Sequence, residues 1–293
     1  MSVSTAGTSI ADLPSIRRYE PDTIRVRLRE RPRFHGAAAG EKLLIIAADH
    51  PARGALGVGD DSRAMASRAD LLRRLAIALS RPGVHGFLGT ADLVEDLALL
   101  GALDHKLVLG SMNRGGLAGT TFELDDRFTG YDASGIERAG LDGGKMLLRI
   151  DPDDPASVTT MQACAHAIDD LAERGLIALV EPFWSTRVDG RVRNDLTPDA
   201  VIRSIAIASG LGRTSAHTWL KLPAVDEMDR VLASTTLPTL LLGGEVGPGD
   251  PSEQPWRAAV SAPVVAGLAV GRALLFPPDG DVAAAVDEAV TLL

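Results

Sequence analysis

Eight short apolar runs, each followed by a stretch with helical spacing, dominate this chain of 293 residues. The runs lie at residues 43–49, 84–90, 106–110, 145–150, 177–182, 217–222, 239–243 and 264–270. Nearly continuous apolar runs are typical of parallel strands that are covered on both faces. Eight right-handed strand–helix units close into a barrel. The sequence therefore predicts an α/β protein with a (β/α)8 TIM barrel.

An open, doubly wound sheet is the main alternative to the barrel. That fold often carries a GxGxxG fingerprint directly after its first strand. Residues 49–59 follow the first predicted strand here and read DHPARGALGVG, which lacks the fingerprint. The barrel is therefore favoured.

The chain is predicted to have two parts. Residues 1–40 are expected to form an N-terminal extension, with short polar helical pieces at 9–18 and 23–31 and a small-residue joint at 36–40. Residues 41–293 are expected to form the barrel, which would be the catalytic domain. Thr197-Pro198 predicts a helix start, because proline suits the first helical position after a threonine cap.

Composition excludes several classes of protein. The net charge of −9 and the aromatic content of 4% argue against a nucleic-acid partner, which would normally contact a basic patch with aromatic residues. No run approaches the roughly 20 apolar residues of a membrane span, and the first ten residues lack the pattern of a signal peptide. The single cysteine, Cys164, excludes an intramolecular disulfide. We expect a cytoplasmic protein without membrane contact.

Active sites of such barrels lie at the carboxyl ends of the strands, where a few polar residues occur here. These are Asp49, Arg149, Asp151, Glu181 and Lys221. Two further strands end in Gly243-Gly244 and Gly271-Arg272. The candidate site is therefore assembled from several strands of the predicted barrel.

Lys221 gives the sharpest signal, because only four of the 30 basic residues are lysines. The alternation of a strand places His217, Trp219 and Lys221 on one face. A desolvated amine near a second cation has a lowered pKa and attacks carbonyl groups. Lys145 could be that second cation, or a solvated lysine at a strand start. The alternative for Lys221 is a structural lysine that reaches out of the barrel mouth or pairs with a carboxylate.

The other candidates also allow two interpretations. Glu181 ends an apolar strand, so it should have a partner or a catalytic task, either as a structural ion pair or in proton transfer. Asp49 could bind substrate hydroxyls, orient a lysine, or cap the following loop. The glycines at 243–244 and 271–272 could cradle a phosphate with help from Arg272, or simply permit tight turns.

Six short motifs in order resemble the class I, Schiff-base aldolase superfamily, which includes tagatose-bisphosphate, sulfofructosephosphate and archaeal-type fructose-bisphosphate aldolases. The motifs are AAD at 47–49 with its Arg-Gly loop, DGGKMLL at 142–148, LVEP at 179–182, WLKLP at 219–223, LGG at 242–244 and VGR at 270–272. The resemblance implies that Lys221 forms an imine, Lys145 lies beside it and Glu181 transfers protons. It implies that the substrate contacts Asp49, Gly244, Gly271 and Arg272. Arg149, near the end of the fourth run, is a further candidate for substrate binding.

The resemblance implies a class I aldolase that needs no metal or cofactor. It would cleave or form a C–C bond in a phosphorylated keto sugar or sugar acid, in inositol or related carbohydrate catabolism. The chain resembles members labelled deoxyribose-phosphate aldolase that occur with inositol-catabolism genes, which favours 2-deoxy-5-keto-gluconate 6-phosphate as substrate. We also expect a homo-oligomer. The longer first loop, DHPARG, and the missing serine after Gly243-Gly244 depart from the pattern of relatives.

Two other functions remain open at this point. One is a metal-dependent lyase or isomerase, in which oxygen and nitrogen ligands would come from Asp49, His50, His85, Glu181 and His217. The other is a barrel that binds sugar phosphates without catalysis. It predicts binding without turnover and a dispensable Lys221.

Overall fold

The computed structural model describes residues 7–38, 40–243 and 259–293. Nine strands of the described residues form one sheet, of which eight are parallel and close into a barrel in the order β1-β2-β3-β4-β5-β7-β8-β9 and back to β1. The strands are β1 (Leu43–Ala47), β2 (Gly86–Gly89), β3 (Leu107–Ser111), β4 (Gly143–Ile150), β5 (Ile177–Val188), β6 (Arg191–Asp195), β7 (Thr218–Pro223), β8 (Thr239–Leu242) and β9 (Val265–Val270). The predicted TIM barrel is confirmed.

Helices surround the barrel and connect its strands. They are α1 (Leu13–Tyr19), α2 (Asp22–Glu30), α3 (Arg68–Ser80), α4 (Ala91–Leu99), α5 (Ala133–Ala139), α6 (Ala156–Ala172), α7 (Pro198–Ser209), α8 (Met228–Leu232), α9 (Arg272–Leu275) and α10 (Val282–Val290). As predicted, α7 begins at Pro198, and the Thr197 hydroxyl caps it by accepting from the Ala200 N–H. None of the described helices is long and apolar enough to span a membrane.

Two apolar layers form the core. On β7, Leu220 and Leu222 pack with the helices, whereas Trp219 packs with the inner residues of the barrel. The inner layer includes Ile45 and Leu179 and fills the barrel below its carboxyl end. This alternation, predicted from the sequence, turns Lys221 toward the barrel axis.

A β-hairpin follows the fifth predicted strand, which was expected to end at residue 182. Strand β5 continues past Pro182 to Val188, and β6 returns antiparallel to it, with Val188 opposite Arg191. The two turn residues, Asp189 and Gly190, have φ values of 49° and 75°. Positive φ at both central residues is the hallmark of the type I′ turn, whose twist matches the flanking strands. The hairpin extends beyond the barrel at its carboxyl end.

Helices α1 and α2 pack against the outside of the barrel. Arg17 on α1 contacts Asp96 on α4 at 2.7 Å. Arg31, which follows α2, is 2% exposed, and its guanidinium donates to the carbonyls of Leu103, Lys106 and Gly140. The extension is thus joined to the barrel by buried contacts. The division of the chain at residue 40 stays a prediction.

Candidate functional site

A cavity of about 500 Å³ opens at the carboxyl end of the barrel, and we call it the central cavity. Its lining includes Asp49 after β1, Glu181 on β5 and Lys221 on β7. Gly271 and Arg272 contribute from the end of β9. The hairpin contributes part of the wall. The site thus lies where barrel topology predicts it.

Two lysines share one carboxylate in this site. The Lys221 Nζ donates to Glu181 Oε1 at 2.7 Å. The Lys145 Nζ contacts the other oxygen, Oε2, of the same glutamate. It also donates to Asp49 Oδ2 at 3.2 Å. The structure therefore brings together four residues predicted from the sequence.

Access to the central cavity distinguishes the two amines. Lys221 lines the central cavity, whereas Lys145 is only 1% exposed and is not part of the lining. Lys42 and Lys106 lie elsewhere, at the amino ends of β1 and β3, where they donate to the carbonyls of Ala262 and Val84. Of the four lysines, Lys221 is therefore the one that a carbonyl compound in the cavity can reach.

Arg114 is a site residue that the sequence analysis missed. Its guanidinium contacts Asp49 Oδ2, and its Nε donates to Ser111 Oγ at 3.0 Å. The Ser111 hydroxyl donates in turn to Asp49 Oδ2 at 3.2 Å. Asp49 makes no cap hydrogen bond to the following loop. Among the interpretations open for Asp49, these contacts match the orientation of a lysine.

Burial and neighbouring charges shift the pKa values of this cluster. Burial lowers the pKa of Lys145 well below its usual 10.5, and the nearby Arg114 cation adds to this effect. Burial acts to raise the pKa of Glu181, but Lys145 and Lys221 hold it well below its usual range. Burial also lowers the pKa of Arg114 to about 10. The glutamate is thus ionised, and Lys145 loses its proton more readily than an ordinary lysine.

Arg149, predicted to bind substrate, lines the central cavity but already has protein partners. Its Nε and Nη2 donate to the two carboxylate oxygens of Asp126 at 2.8 and 2.7 Å. Its Nη1 lies 3.5 Å from Glu123 Oε1. Asn113 fixes the same loop to β4 by exchanging hydrogen bonds with the backbone of Leu147. Arg149 therefore joins β4 to the long loop between β3 and α5.

The predicted phosphate site is described in part. Gly243, Gly271 and Arg272 line the central cavity, whereas Gly244 lies outside the described residues. A Cβ atom on Gly271 would approach the Ala47 carbonyl oxygen within 2.3 Å, so only glycine allows β9 to end this close to β1. Arg272 donates to the Gly57 carbonyl at 3.4 Å, among other contacts.

The ligands of the metal-dependent alternative do not come together. His85 lies at the amino end of the barrel, where its Nε2 is 3.0 Å from Glu41 Oε1, and His217 directly precedes β7. Asp49, His50 and Glu181 lie at the opposite, carboxyl end. Across residues 7–38, 40–243 and 259–293, no three His, Cys, Asp or Glu side chains are grouped to hold a metal ion.

Comparison with known proteins identifies the family of this chain. A model of the Cgl0159-like family matches residues 41–290. This chain belongs to that family. The crystal structure of Cgl0159 from Corynebacterium glutamicum is 53% identical to this member, with 97% of each chain covered and a TM-score of 0.93. No curated protein sequence matches the chain.

Solved aldolases share the fold of this family member. An archaeal fructose 1,6-bisphosphate aldolase is 18% identical, with 92% of this chain and 98% of that chain covered and a TM-score of 0.62. The fructose-bisphosphate aldolase from Slackia heliotrinireducens is 14% identical, with 100% and 95% covered and a TM-score of 0.59. The barrel is therefore of the kind found in class I aldolases, which are lyases.

Proposed function

We propose that this protein is a class I aldolase in which Lys221 forms an imine with a phosphorylated keto sugar or sugar acid. The observation that carries the proposal is the Lys221 amine at the surface of the central cavity, 2.7 Å from a buried glutamate that also contacts a second lysine. Such an arrangement supplies a nucleophile and a proton carrier side by side.

The charges of the cluster favour a neutral amine. Lys145, Lys221 and Arg114 can carry three positive charges against the two negative charges of Asp49 and Glu181. Burial of a net charge is unfavourable, so one lysine is driven to lose its proton. Because both amines contact Glu181, a proton on Lys221 can pass through this carboxylate to a neutral Lys145. Lys221 is then free to attack.

The reaction follows from this geometry. The neutral Lys221 amine adds to the carbonyl carbon, the carbonyl oxygen takes up a proton, and loss of water leaves a protonated imine. Glu181 removes the proton from the hydroxyl on the β carbon, and the bond between the α and β carbons breaks. Its electrons pass into the imine to give an enamine, and an aldehyde departs. Protonation of the α carbon and hydrolysis then release the second product.

The substrate phosphate is assigned to the end of β9. There, Gly271 permits close approach of the backbone and Arg272 supplies a cation, while Gly243 lines the same cavity from the end of β8. On the sequence resemblance, 2-deoxy-5-keto-gluconate 6-phosphate is the proposed substrate, and Asp49 would orient Lys145 beside it.

Borohydride trapping tests the imine. The protein is incubated with phosphorylated ketoses and keto sugar acids, including 2-deoxy-5-keto-gluconate 6-phosphate, and then reduced and mapped by mass spectrometry. We expect the adduct on the peptide that contains Lys221, and none in Lys221→Arg, because a guanidinium forms no imine. Lys106→Arg, which changes a lysine outside the cavity, is the matched control. Labelling of another lysine, or no labelling by any compound, would refute the proposal.

A further inference from the structure

The outer edge of the hairpin is an unpaired strand edge. Strand β6 pairs with β5 on one side and has no strand neighbour among the described residues on the other. Val188 and Arg191 close the two-residue turn as a hydrogen-bonded pair, and such pairs alternate along an antiparallel ladder. The backbone N–H and C=O groups of Val192 and Asn194 therefore point away from β5. On that side no backbone hydrogen bond joins them to another described residue.

The sequence of this edge does not prevent pairing with another chain. Natural proteins protect free strand edges with proline, lysine, a bulge or a covering segment. Residues 191–196 read RVRNDL, and β6 pairs with β5 without a bulge. Four of the five residues of β6 are exposed. The side chains of Arg193 and Asp195 form no ion pair within the described part of the chain. A partner that offers the opposite order of charges would therefore fit this edge.

A second copy of the same strand has that order of charges. When two copies run antiparallel and Asn194 faces Asn194, Arg193 of each copy lies opposite Asp195 of the other. Val192 of each copy then lies opposite Leu196 of the other. The alternation of the ladder also turns the backbone of Leu196 outward, where it has no hydrogen-bond partner among the described residues. The five residues 192–196 are thus complementary to themselves in both side chains and hydrogen bonds.

We propose that β6 pairs with β6 of a second copy of this chain, antiparallel and centred on Asn194, so that the two hairpins form one four-stranded sheet. The same surface serves both copies, so the contact closes on itself and generates a two-fold axis. The proposal goes beyond the aldolase reaction and does not depend on it.

Cross-strand side-chain pairs favour this register. Pairs of opposite charge and apolar pairs stabilise an antiparallel ladder when they lie directly opposite, whereas like charges destabilise it. A pairing centred on Arg193 would set that arginine opposite itself, so the pairing centred on Asn194 is preferred. It also covers Leu196, which is 51% exposed. Asn194 is fixed at the centre, because its Oδ1 accepts from the buried Ser185 hydroxyl at 2.9 Å.

The association of the full chain tests the pairing. Sedimentation velocity over a series of dilutions should show a dimer, or a multiple of a dimer, for the wild type. Arg193→Asp sets two carboxylates opposite each other, and Asp195→Arg sets two guanidinium groups opposite each other. Each variant should raise the Kd of the dimer by about 10-fold or more. Arg29→Asp, which makes the same charge change at an exposed position of α2, is the matched control and should leave the assembly unchanged.

A mixture of the two hairpin variants tests the register itself. Each variant presents the charges that the other now requires, so Arg193→Asp mixed with Asp195→Arg should recover the dimer. The double variant, with both charges exchanged in one chain, should also recover it. Recovery further shows that the single variants are folded. A monomeric wild type, single variants that associate as tightly as the wild type, or a mixture that stays dissociated would each overturn the proposal.

Discussion

At the scale of single residues, the site depends on how three cations are distributed over two carboxylates. Lys145 is enclosed between Asp49 and Glu181, whereas Lys221 contacts Glu181 alone and faces the cavity. Lys145 therefore serves best to hold a proton, and Lys221, which lines the cavity, serves best as the nucleophile. Arg114 contacts Asp49 and adds a fixed positive charge beside Lys145.

Removal of Arg114 should shift the pH dependence of imine formation. A neighbouring cation disfavours the protonated form of Lys145, so its loss in Arg114→Gln raises the pKa of Lys145. We expect the rate of borohydride trapping to rise with pH in the wild type and to rise only at higher pH in the variant. The measurement is the trapping rate from about pH 5 to about pH 10, near which free lysine titrates. Arg127→Gln, an exposed arginine on the same loop, should leave the profile unchanged. An unshifted profile in Arg114→Gln would contradict this role of Lys145.

Replacement of Glu181 by glutamine should slow the reaction strongly. The amide retains the shape of the side chain but accepts no proton from Lys221 or from the substrate hydroxyl. We expect Glu181→Gln to lower kcat by about 10²–10⁴-fold, the usual contribution of general acid–base catalysis. Steady-state kinetics measure the effect, with Glu137→Gln on the exposed face of α5 as control. Turnover within a few-fold of the wild type would exclude Glu181 as the proton carrier.

At the scale of elements, the strands and their polar ends could be predicted because buried parallel strands have a plain apolar pattern. The hairpin could not be predicted from that pattern, since residues 183–194 mix aromatic, charged and small side chains. Its signal is Asp189-Gly190 between two runs of β-forming residues, which is a hairpin signature. Arg114 was missed because the third strand was expected to end at Gly110, whereas β3 includes Ser111 and leads directly to the polar Asn113-Arg114.

The ion pair of Arg149 with Asp126 should stabilise the loop between β3 and α5. Both side chains are buried, so Arg149→Met leaves an unpaired carboxylate and should lower the free energy of unfolding by about 3–5 kcal/mol. Adding Asp126→Leu removes that charge and should restore most of the loss. Chemical denaturation of the single and double variants provides the values.

A partly exposed ion pair serves as the control for the Arg149 and Asp126 variants. Arg187→Met breaks a partly exposed ion pair with Asp154, whose closest atoms are 3.5 Å apart, and should cost no more than about 1 kcal/mol. If Arg149→Met leaves the stability unchanged and affects only ligand binding, the role of Arg149 is confined to the substrate, as its position near a strand end predicted.

At the scale of the whole molecule, the barrel and the N-terminal helices share buried contacts. Leu13 on α1 and Leu28 on α2 belong to the same apolar cluster as the outer residues of the barrel. Asp96 on α4 accepts from Arg17 of the extension and also from Arg68 of α3. Residues 1–40 were predicted to be a separate extension because of their small-residue joint and polar helices. A pattern of strands and helices along one chain does not reveal contacts between distant segments. From these contacts we predict that the extension and the barrel unfold together.

Arg31 offers the sharpest test of that cooperativity. Its buried guanidinium donates to Leu103, Lys106 and Gly140, and each of these carbonyls belongs to a connection of the barrel. Hydrogen bonds from charged groups contribute about 1.5–3 kcal/mol, so Arg31→Met should lower the free energy of unfolding by at least about 2 kcal/mol. Since all three tryptophans lie in residues 41–293, their fluorescence reports on the barrel, and far-ultraviolet circular dichroism reports on the whole chain. Both signals should move to the same lower midpoint. The exposed neighbour in Arg29→Met is the control and should leave both midpoints in place. A fluorescence midpoint that Arg31→Met does not move would show that the barrel is stable without these contacts, and that the extension is only attached to it.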